Sequence, residues 1–354
     1  MPVNKVDKPK KPGASSEVIK AIGKDYGPGI VHEELRHSTL GRTPTGVFAF
    51  DLMTGGGFPQ GKMSIVYGPE ESGKTNICLL AIARTQRDNP ECKCVFVDIE
   101  GSLDPDWAAA LGVDVERLIV VYPDYAEQAI DIVEAFIYAD DVAVIVVDSL
   151  AAMITDNESK SSAEKAAVGG SALSIGKLYR KATVSLSKVR REGHTPTLLC
   201  INQVRMKIGV MYGNPETMPG GNSVKFWSAL TIRMYSKGVI KKDVNPALDT
   251  YRETKAVVKK NKVALTSKSC EYDLVVLPHG QFKPGDCFDY SFVENWLKSG
   301  GILSKFEKGQ GWTLFGESYN VLTEVKDLYY TDKAFADRCK NAVVALAMDG
   351  ELVE

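Results

Sequence analysis

Residues 68–75 read GPEESGKT and fit the phosphate-binding pattern G-x-x-x-x-G-K-[ST], between an aliphatic stretch and a helical pattern. Glycines in such a loop let backbone N–H groups surround phosphate oxygens, and the following helix N-terminus adds a favourable dipole. We expect Lys74 to reach the β- and γ-phosphates and the Thr75 hydroxyl to ligate Mg²⁺. The predicted phosphate site consists of Gly68, Pro69, Glu70, Glu71, Ser72, Gly73, Lys74 and Thr75.

Two carboxylates end other aliphatic stretches. Asp148 closes VAVIVVD, where a carboxylate can hold the magnesium shell opposite Thr75, although an ordinary strand-end cap is an alternative. Glu100 closes CVFVDIE and can polarise the water that attacks a γ-phosphate. A surface salt bridge explains Glu100 equally well from the residues alone, so its role stays open at this level.

A glycine-rich, cationic segment runs from Gln203 to Trp227, after the aliphatic stretch TLLCIN. A connection of this length within a domain is usually functional or disordered. Its glycines expose backbone N–H groups, and Arg205, Lys207 and Lys225 add positive charge. The segment is therefore a candidate surface for an anionic polymer, with a solvated surface loop as the alternative.

The elements that position these residues alternate between strands and helices. Aliphatic strands separated by amphipathic helices predict a mostly parallel, covered sheet, whose ligands lie beyond the carboxyl ends of the strands. After residue 229 strands without helices follow, which predicts an antiparallel extension. The predicted strands are MSIVYG, CVFVDI, VAVIVVDS, TLLCIN, LTIRMY, KVALT and YDLVVL, and the predicted helices include Ser171 to Arg190, Phe288 to Ser299 and Asp332 to Met348.

The length of 354 residues predicts a main domain with smaller appendages. Residues 1–36 read as a flexible tether and an oligomerisation helix (SEVIKAIGKDY), 37–281 as an α/β ATPase core with the loops, and 282–354 as a small α/β domain. Docking of the helix on its own core is the alternative to docking on a neighbouring subunit. Seven scattered cysteines fit reduced thiols, and we expect no structural zinc. No apolar run is long enough for a membrane span, so we expect a cytoplasmic protein without a membrane partner.

The charge distribution is uneven. The formal net charge of −2 argues against a protein whose whole surface binds nucleic acid. Between Lys225 and Lys268, however, eleven Lys and Arg stand against three acids, a net of +8. Positive charge is thus concentrated beside the glycine-rich segment, as expected of a localised nucleic-acid site.

Several motifs together resemble the RecA recombinase family, including its phage members. The resemblance covers about Ser16 to Phe282 and is looser beyond. The motifs occur in the family's order: GPEESGKT, FVDIEGSLDP, VIVVDSLAA, INQVRMKIGVMYGNPET, GGN with KFW behind it, and VVKKNK. The resemblance implies a RecA-type P-loop ATPase core that uses ATP and Mg²⁺.

The resemblance also implies roles for single residues in hydrolysis. Glu100 matches the family's catalytic carboxylate, which favours the general base over the salt bridge. Asp104 and Trp107 match positions that hold adenine, with Trp in place of the usual Tyr. Gln203 matches the glutamine that senses the γ-phosphate, with a satisfied strand-end glutamine as the alternative.

Two lysines match the pair that reaches ATP bound by the neighbouring subunit, in the part of an arginine finger. They are Lys260 and Lys262, and an extra residue at Lys259 leaves their register uncertain by one. A solvated basic turn is the alternative reading of KKNK.

The resemblance implies a second DNA loop with contacts to the single-stranded backbone that are largely independent of base sequence. The matching positions are Arg205, Lys207, Gly220, Gly221 and Asn222. Arg180 falls on a DNA-contacting arginine at the base of the first loop. A solvated helix face explains Lys177, Arg180 and Lys181 almost as well.

The chain departs from the family pattern in two places. Glu71 replaces a small serine in the P-loop. The sequence ends in DGELVE, without the family's long acidic tail, which is more like a phage-encoded member. Because that tail damps DNA binding, we expect weaker autoinhibition here.

These features predict a DNA-dependent ATPase that forms a helical homo-oligomeric filament on single-stranded DNA, pairs it with a homologous duplex and promotes strand exchange. Loaders or single-strand-binding proteins are possible partners. Two alternatives are a hexameric RecA-fold helicase and a non-catalytic regulatory filament that binds DNA and ATP. Intact Thr75, Glu100 and Asp148 argue for catalysis.

Overall fold

The chain divides into two compact units, Met1–Leu40 and Gly41–Glu354. The computed structural model describes residues 15–27, 31, 40–160, 170–206, 216–220, 226–240, 251–264, 268–278, 282–306 and 311–348. The first unit contains helix α1 (Ser15–Tyr26), in which no residue is buried within the chain. Glu17 in its first turn and Lys24 in its last complement the helix dipole.

The second unit contains the remaining elements. Its helices are α2 (Phe48–Thr54), α3 (Lys74–Asp88), α4 (Pro105–Ala110), α5 (Ala126–Ile137), α6 (Asp156–Lys160), α7 (Gly170–Arg191), α8 (Tyr290–Ser299), α9 (Leu322–Thr331) and α10 (Lys333–Met348). Its strands are β1 (Arg42–Thr43), β2 (Phe58–Pro59), β3 (Met63–Gly68), β4 (Lys93–Asp98), β5 (Leu118–Val121), β6 (Val142–Asp148), β7 (Thr197–Gln203), β8 (Arg205–Met206), β9 (Glu216–Thr217), β10 (Leu230–Ile240), β11 (Tyr251–Asn261), β12 (Ser269–Val275), β13 (Cys287–Phe288), β14 (Leu303–Lys305), β15 (Trp312–Leu314) and β16 (Glu317–Tyr319).

A nine-stranded sheet forms the centre, in the order β13-β12-β11-β10-β3-β7-β6-β4-β5. The strands from β10 to β5 pair in parallel, whereas β11, β12 and β13 continue the sheet in antiparallel pairs. Because β3, β4, β6 and β7 run in one direction, their carboxyl ends meet at one edge. This edge carries the predicted phosphate and catalytic residues.

Two apolar layers cover the central strands, which explains why these strands are aliphatic on both faces. One layer packs α2 and α3 on the sheet through residues such as Phe50, Ile77 and Ile82. The other packs α5 and α7 through Ile130, Val133 and Tyr179 and further residues. Ion pairs from Lys181 to Asp131 and Glu134 also join α7 to α5.

A third apolar cluster lies in the C-terminal part, between α8, α9, α10 and the small sheet β14-β15-β16. Val293, Leu297 and Val343 are fully buried there, and Phe48 and Leu52 of α2 pack against this cluster. The C-terminal part is thus continuous with the core through α2.

The predicted fold class is confirmed: an α/β core has a mostly parallel sheet with an antiparallel extension. The predicted strand KVALT is wrong, because β11 ends at Asn261 and residues 262–264 lie outside any strand. There the Asn261 side-chain Oδ1 accepts hydrogen bonds from the backbone N–H groups of Val263 and Ala264, which turns the chain. Helix α9 was not predicted. No helix among the described residues is long and apolar enough to cross a membrane.

Candidate nucleotide site and nucleic-acid interface

The P-loop connects the end of β3 to the start of α3 and depends on two glycines. A Cβ on Gly68 would lie 2.4 Å from the Met234 carbonyl oxygen, so only glycine allows β10 to pass this closely. Gly73 has a φ of 83°, in the left-handed region that glycine adopts without strain. Glu71 is also left-handed, with a φ of 54°, and its carbonyl accepts a hydrogen bond from Arg252 Nη1 at 3.2 Å.

Lys74 is folded back over this loop. Its Nζ donates to the Pro69 carbonyl at 2.6 Å, and the Ser72 hydroxyl donates to the same carbonyl at 2.8 Å. Burial lowers the pKa of Lys74, while the charges of Asp148, Glu100 and Glu70 raise it. The ammonium group therefore lies among carboxylates at the mouth of the loop, where an incoming phosphate would compete for it.

Thr75 and Asp148 meet across the edge of the sheet, as predicted. The Thr75 hydroxyl donates to Asp148 Oδ2 at 2.7 Å. Asp148 is buried, and this burial raises its pKa to about 6, although the hydrogen bond from Thr75 acts in the opposite direction. A buried carboxylate next to a hydroxyl is a donor set that suits a hard divalent cation.

Glu100 lies between β6 and β7, although these strands are remote from it in sequence. Its Oε1 accepts hydrogen bonds from the Ser149 hydroxyl and from Gln203 Nε2, the latter at 3.1 Å. The strand register explains the meeting: Asp98 of β4 pairs with Asp148 of β6, and Val147 of β6 pairs with Cys200 of β7, so the ends of the three strands are neighbours. The predicted catalytic carboxylate and the predicted sensor glutamine are therefore in direct contact.

Asp104 and Trp107 lie at the start of α4. Asp104 Oδ1 caps this helix by accepting hydrogen bonds from the backbone N–H groups of Asp106 and Trp107, at 2.9 and 3.1 Å. The indole Nε1 of Trp107 donates to Asn76 Oδ1 on α3 at 3.0 Å. This contact holds the indole next to the first turn of the helix that follows the P-loop.

The glycine-rich segment begins directly after Gln203 with a small hairpin. Arg205 of β8 pairs with Thr217 of β9, and Arg205 is exposed. The Asn202 side chain donates from Nδ2 to the Pro219 carbonyl at 3.0 Å, which ties the returning chain to β7. Gly220 has a φ of 89°. Lys207, Gly221 and Asn222 lie outside the described residues.

Lys260 and Lys262 lie at the opposite edge of the sheet from the P-loop of their own chain. Lys260 pairs with Thr231, which pairs with Ile65 near the start of β3, whereas the P-loop follows the end of β3. Burial and the charge of Lys262 lower the pKa of Lys260 to about 8. Lys262 Nζ donates to the Phe226 carbonyl at 3.2 Å.

Arg180 is exposed on α7, one residue before Lys181. Lys181 forms ion pairs with two acids of α5, at 2.9 Å with Asp131 and at 2.6 Å with Glu134. A packing role therefore explains Lys181, whereas Arg180 and Lys177 are exposed on the surface of the helix.

Sequence reasoning missed three residues of the site. Asp98 is buried and accepts hydrogen bonds from the backbone N–H groups of Ser102 and Leu103, so it shapes the loop after Glu100. Ser149 contacts Glu100, and Arg252 contacts the P-loop. Their positions directly after or near strand ends were visible in the sequence, but the strand register that joins them was not.

A P-loop lies at the carboxyl end of a parallel sheet, with the buried carboxylate of Asp148 and the carboxylate of Glu100 after the neighbouring strands β6 and β4, and this arrangement is that of a P-loop ATPase. Residues 14–280 match the family model of the RecA N-terminal domain. The RecA protein of Ruminococcus albus is 38% identical over 314 residues, which is 87% of this chain and 76% of that protein. The RecA protein of Oceanobacillus iheyensis is 34% identical over 94% of this chain and 96% of its own length.

The RecA protein of Ectopseudomonas oleovorans is 35% identical over 85% of each chain. The chain therefore belongs to the RecA family of recombinases. As a member of this family it is a DNA-dependent ATPase of DNA recombination and repair. The helicase and the non-catalytic filament are not favoured.

Proposed function

We propose that ATP hydrolysis at the P-loop controls the grip of the Gln203–Trp227 segment on single-stranded DNA in a helical filament of this chain. The hydrogen bond between Gln203 and Glu100 is the observation that carries this proposal. Gln203 joins the catalytic carboxylate to a hairpin that starts two residues later with Arg205. A γ-phosphate that draws the glutamine amide away from Glu100 would therefore move the first residues of the DNA-binding segment.

The nucleotide site suits ATP with Mg²⁺. Thr75 and Asp148 would hold the ion, because the Thr75 hydroxyl oxygen and Asp148 Oδ2 already lie 2.7 Å apart and Asp148 is a buried carboxylate. The charge of Lys74 already lowers the pKa of Asp148, and a bound cation would act in the same direction. The ion would neutralise charge on the β- and γ-phosphates. Asp104 and Trp107 would hold adenine, with the indole as a stacking face.

The hydrolysis step follows from the positions of Glu100 and Lys74. Lys74 would exchange the Pro69 carbonyl for phosphate oxygens, and a water beside Glu100 would attack the γ-phosphorus. Glu100 would accept the proton of that water as the bond from phosphorus to the leaving ADP oxygen breaks. Lys260 and Lys262 would stabilise the charge on the ATP of the adjacent subunit, since both lie at the edge of the sheet remote from their own P-loop.

The DNA contacts in this proposal are made mainly by phosphate-binding groups and are therefore largely independent of base sequence. They are Arg205, Lys207, Gly220, Gly221 and Asn222, with Arg180 as an exposed contact at the first loop. In the resulting filament a homologous duplex would be aligned and strands exchanged. Loaders or single-strand-binding proteins would assist its assembly, and because the substrate is DNA we propose the cytoplasm as its site of action.

The domain division of the proposal assigns residues 1–36 to an oligomerisation arm, 37–281 to the ATPase core with its DNA loops, and 282–354 to a small C-terminal domain. α1 supports the first assignment, because an isolated helix of this length needs a partner surface for its apolar residues. That partner would be the next subunit of the filament.

The test compares ATP hydrolysis with and without single-stranded DNA in Lys74→Ala and Glu100→Gln. We expect Lys74→Ala to abolish hydrolysis, and Glu100→Gln to slow it by about 10²–10⁴-fold while ATP binding persists. Lys326→Ala, at an exposed position of α9, is the control and should hydrolyse ATP normally. DNA-stimulated hydrolysis by Lys74→Ala at the rate of the unsubstituted protein would refute the proposed site.

A further inference from the structure

An ion pair ties the returning leg of the DNA-binding segment to the strand beside the P-loop. Arg233 of β10 donates from Nε to Glu216 Oε2 at 2.9 Å and from Nη2 to Glu216 Oε1. The guanidinium thus binds the carboxylate through two parallel hydrogen bonds, a geometry that Lys does not reproduce. The Arg233 side chain is 7% exposed, and that of Glu216 is 25% exposed.

The Arg233 guanidinium is held on a second side by an aromatic ring. Its central carbon lies 3.5 Å from the centroid of the Tyr235 ring. Its third nitrogen, Nη1, is buried and has no hydrogen-bond acceptor among the described residues. A buried guanidinium without a carboxylate partner is unfavourable, so the pairing strongly favours Glu216 in this position.

The pair connects the two functional parts of the protein over a short distance in the fold. Arg233 pairs with Tyr67 on β3, and Tyr67 directly precedes Gly68 of the P-loop. Glu216 pairs with Met206 on β8, which starts two residues after Gln203. One side of the hairpin is therefore attached to the site by Gln203, and the other side is attached to the P-loop strand by Glu216.

We propose that Arg233 is a positioning residue that couples the nucleotide site to DNA binding by anchoring the returning leg of the hairpin through Glu216. The inference rests on the proposed role of the Gln203–Trp227 segment in DNA binding. With the returning leg held, a shift of Gln203 changes the position of Arg205 relative to Thr217. Without the anchor both legs would move together, and the nucleotide state would have little effect on DNA binding.

Loss of the Arg233–Glu216 ion pair should change DNA activation of hydrolysis but not ATP binding, whereas a general loss of structure would change both. Arg233 and Glu216 bind each other and belong to β10 and β9, outside residues 68–75 of the P-loop, so ATP binding without DNA should not depend on them. The concentration of single-stranded DNA that half-activates hydrolysis should depend on them. A purely structural role for Arg233 would weaken ATP binding and DNA activation alike.

The test uses Arg233→Lys, which retains the charge but not the two parallel hydrogen bonds. We expect ATP affinity without DNA to stay within about twofold of the unsubstituted protein, and the half-activating DNA concentration to rise by about tenfold. The exchange Arg233→Glu with Glu216→Arg should recover part of this loss. Amide hydrogen exchange of peptides spanning 216–220 should be faster in Arg233→Lys.

The matched control is Lys255→Met, which breaks an exposed ion pair of 2.9 Å with Glu271 on β11 and β12 and should leave both quantities unchanged. Should Arg233→Lys fail to fold, Glu216→Gln replaces it, because the amide retains one hydrogen bond to Arg233. Unchanged DNA activation in both variants, or an equal loss of ATP affinity, would overturn the inference. Loss of DNA activation in the Lys255→Met control would do the same. Hydrolysis that survives Lys74→Ala would instead refute the proposed function.

Discussion

At the scale of single residues, charged groups at the two ends of the central strands have pKa values that are shifted in opposite directions. Asp148 is a buried carboxylate whose pKa is raised to about 6, mainly by burial. Lys260 is an ammonium group whose pKa is lowered to about 8 by burial and by the charge of Lys262. Burial, together with the charges of Arg190 and Lys262, also lowers the pKa of Lys62. A phosphate from an adjacent subunit would bring negative charge to these lysines and favour their charged forms.

The lowered pKa of Lys260 predicts how hydrolysis depends on pH. A phosphate near Lys260 favours its charged form and raises its pKa, so ATP-dependent assembly should take up a proton above pH 8. DNA-dependent hydrolysis at saturating ATP should therefore decline as the pH rises above about 8, through the raised pKa of Lys260 in the assembled state. Lys260→Arg should not show this decline, because arginine stays charged. Rate profiles from about pH 7 to about pH 10, which span the pKa of about 8 for Lys260, test this. An identical decline in both proteins would contradict it.

At the scale of elements, the extra residue of the KKNK motif has a structural explanation. The pairing of β10 with β11 shifts between Thr231, which faces Lys260, and Ile232, which faces Val258. Lys259 is therefore the residue of a β-bulge, and the pairing on each side of it is unchanged. The bulge accommodates Lys259 as the extra residue, while Lys260 stays paired within the strand and Lys262 directly follows the strand end. The strand pairing supports the register in which Lys260 and Lys262 are the functional pair, and this register stays a prediction.

The bulge predicts different effects for neighbouring lysines. Lys260→Ala should reduce DNA-dependent hydrolysis by at least about 10²-fold, as for loss of a trans-acting cation. Lys259→Ala should reduce it by less than about twofold, since substitution at a bulge on the surface costs little. Steady-state hydrolysis with saturating single-stranded DNA measures both. The reverse order of effects would place the functional lysine at 259.

At the scale of the whole molecule, the proposed activity requires a neighbouring copy. The P-loop and the two lysines lie at opposite ends of the strands of one sheet, so in the proposed filament each chain would contribute to two active sites. Beside the lysines, Phe226 and Trp227 have exposed fractions of 71% and 38%. Because Lys262 donates to the carbonyl of Phe226, this aromatic pair and the lysines form one continuous surface. We expect this surface to meet the P-loop edge of the next subunit.

Phe226→Ala tests that arrangement. Truncation of an exposed aromatic anchor should weaken filament assembly by at least about tenfold, while the fold and ATP binding of the single chain stay intact. Val321→Ala, which truncates another exposed apolar residue before α9, is the control. Sedimentation and electron microscopy with an ATP analogue and single-stranded DNA measure assembly. Normal filaments of Phe226→Ala would exclude this surface as the interface.

Local sequence patterns by themselves determined the P-loop and many of the strands and helices of this protein. The P-loop of residues 68–75, the aliphatic strands that end at Asp148 and near Glu100, and the long helix close to Ser171–Arg190 were all predicted, since each depends on neighbouring residues. Helix α9 was missed although Leu322, Val325 and Tyr329 stand at helical spacing, because its N-cap residue, Val321, has no side chain that can cap a helix. The strand KVALT was misplaced because a single Asn261 side chain turns the chain.

The tertiary structure alone decided which distant residues meet. Glu100 contacts Ser149 and Gln203, and Arg233 contacts Glu216, only because the sheet order and the strand register bring them together. Helices, turns and phosphate loops are determined by interactions between residues that are close in sequence, so local sequence patterns predict them. Contacts between strands depend on packing of the whole core, so the contacts of Glu100 with Gln203 and of Arg233 with Glu216 form only in the folded chain.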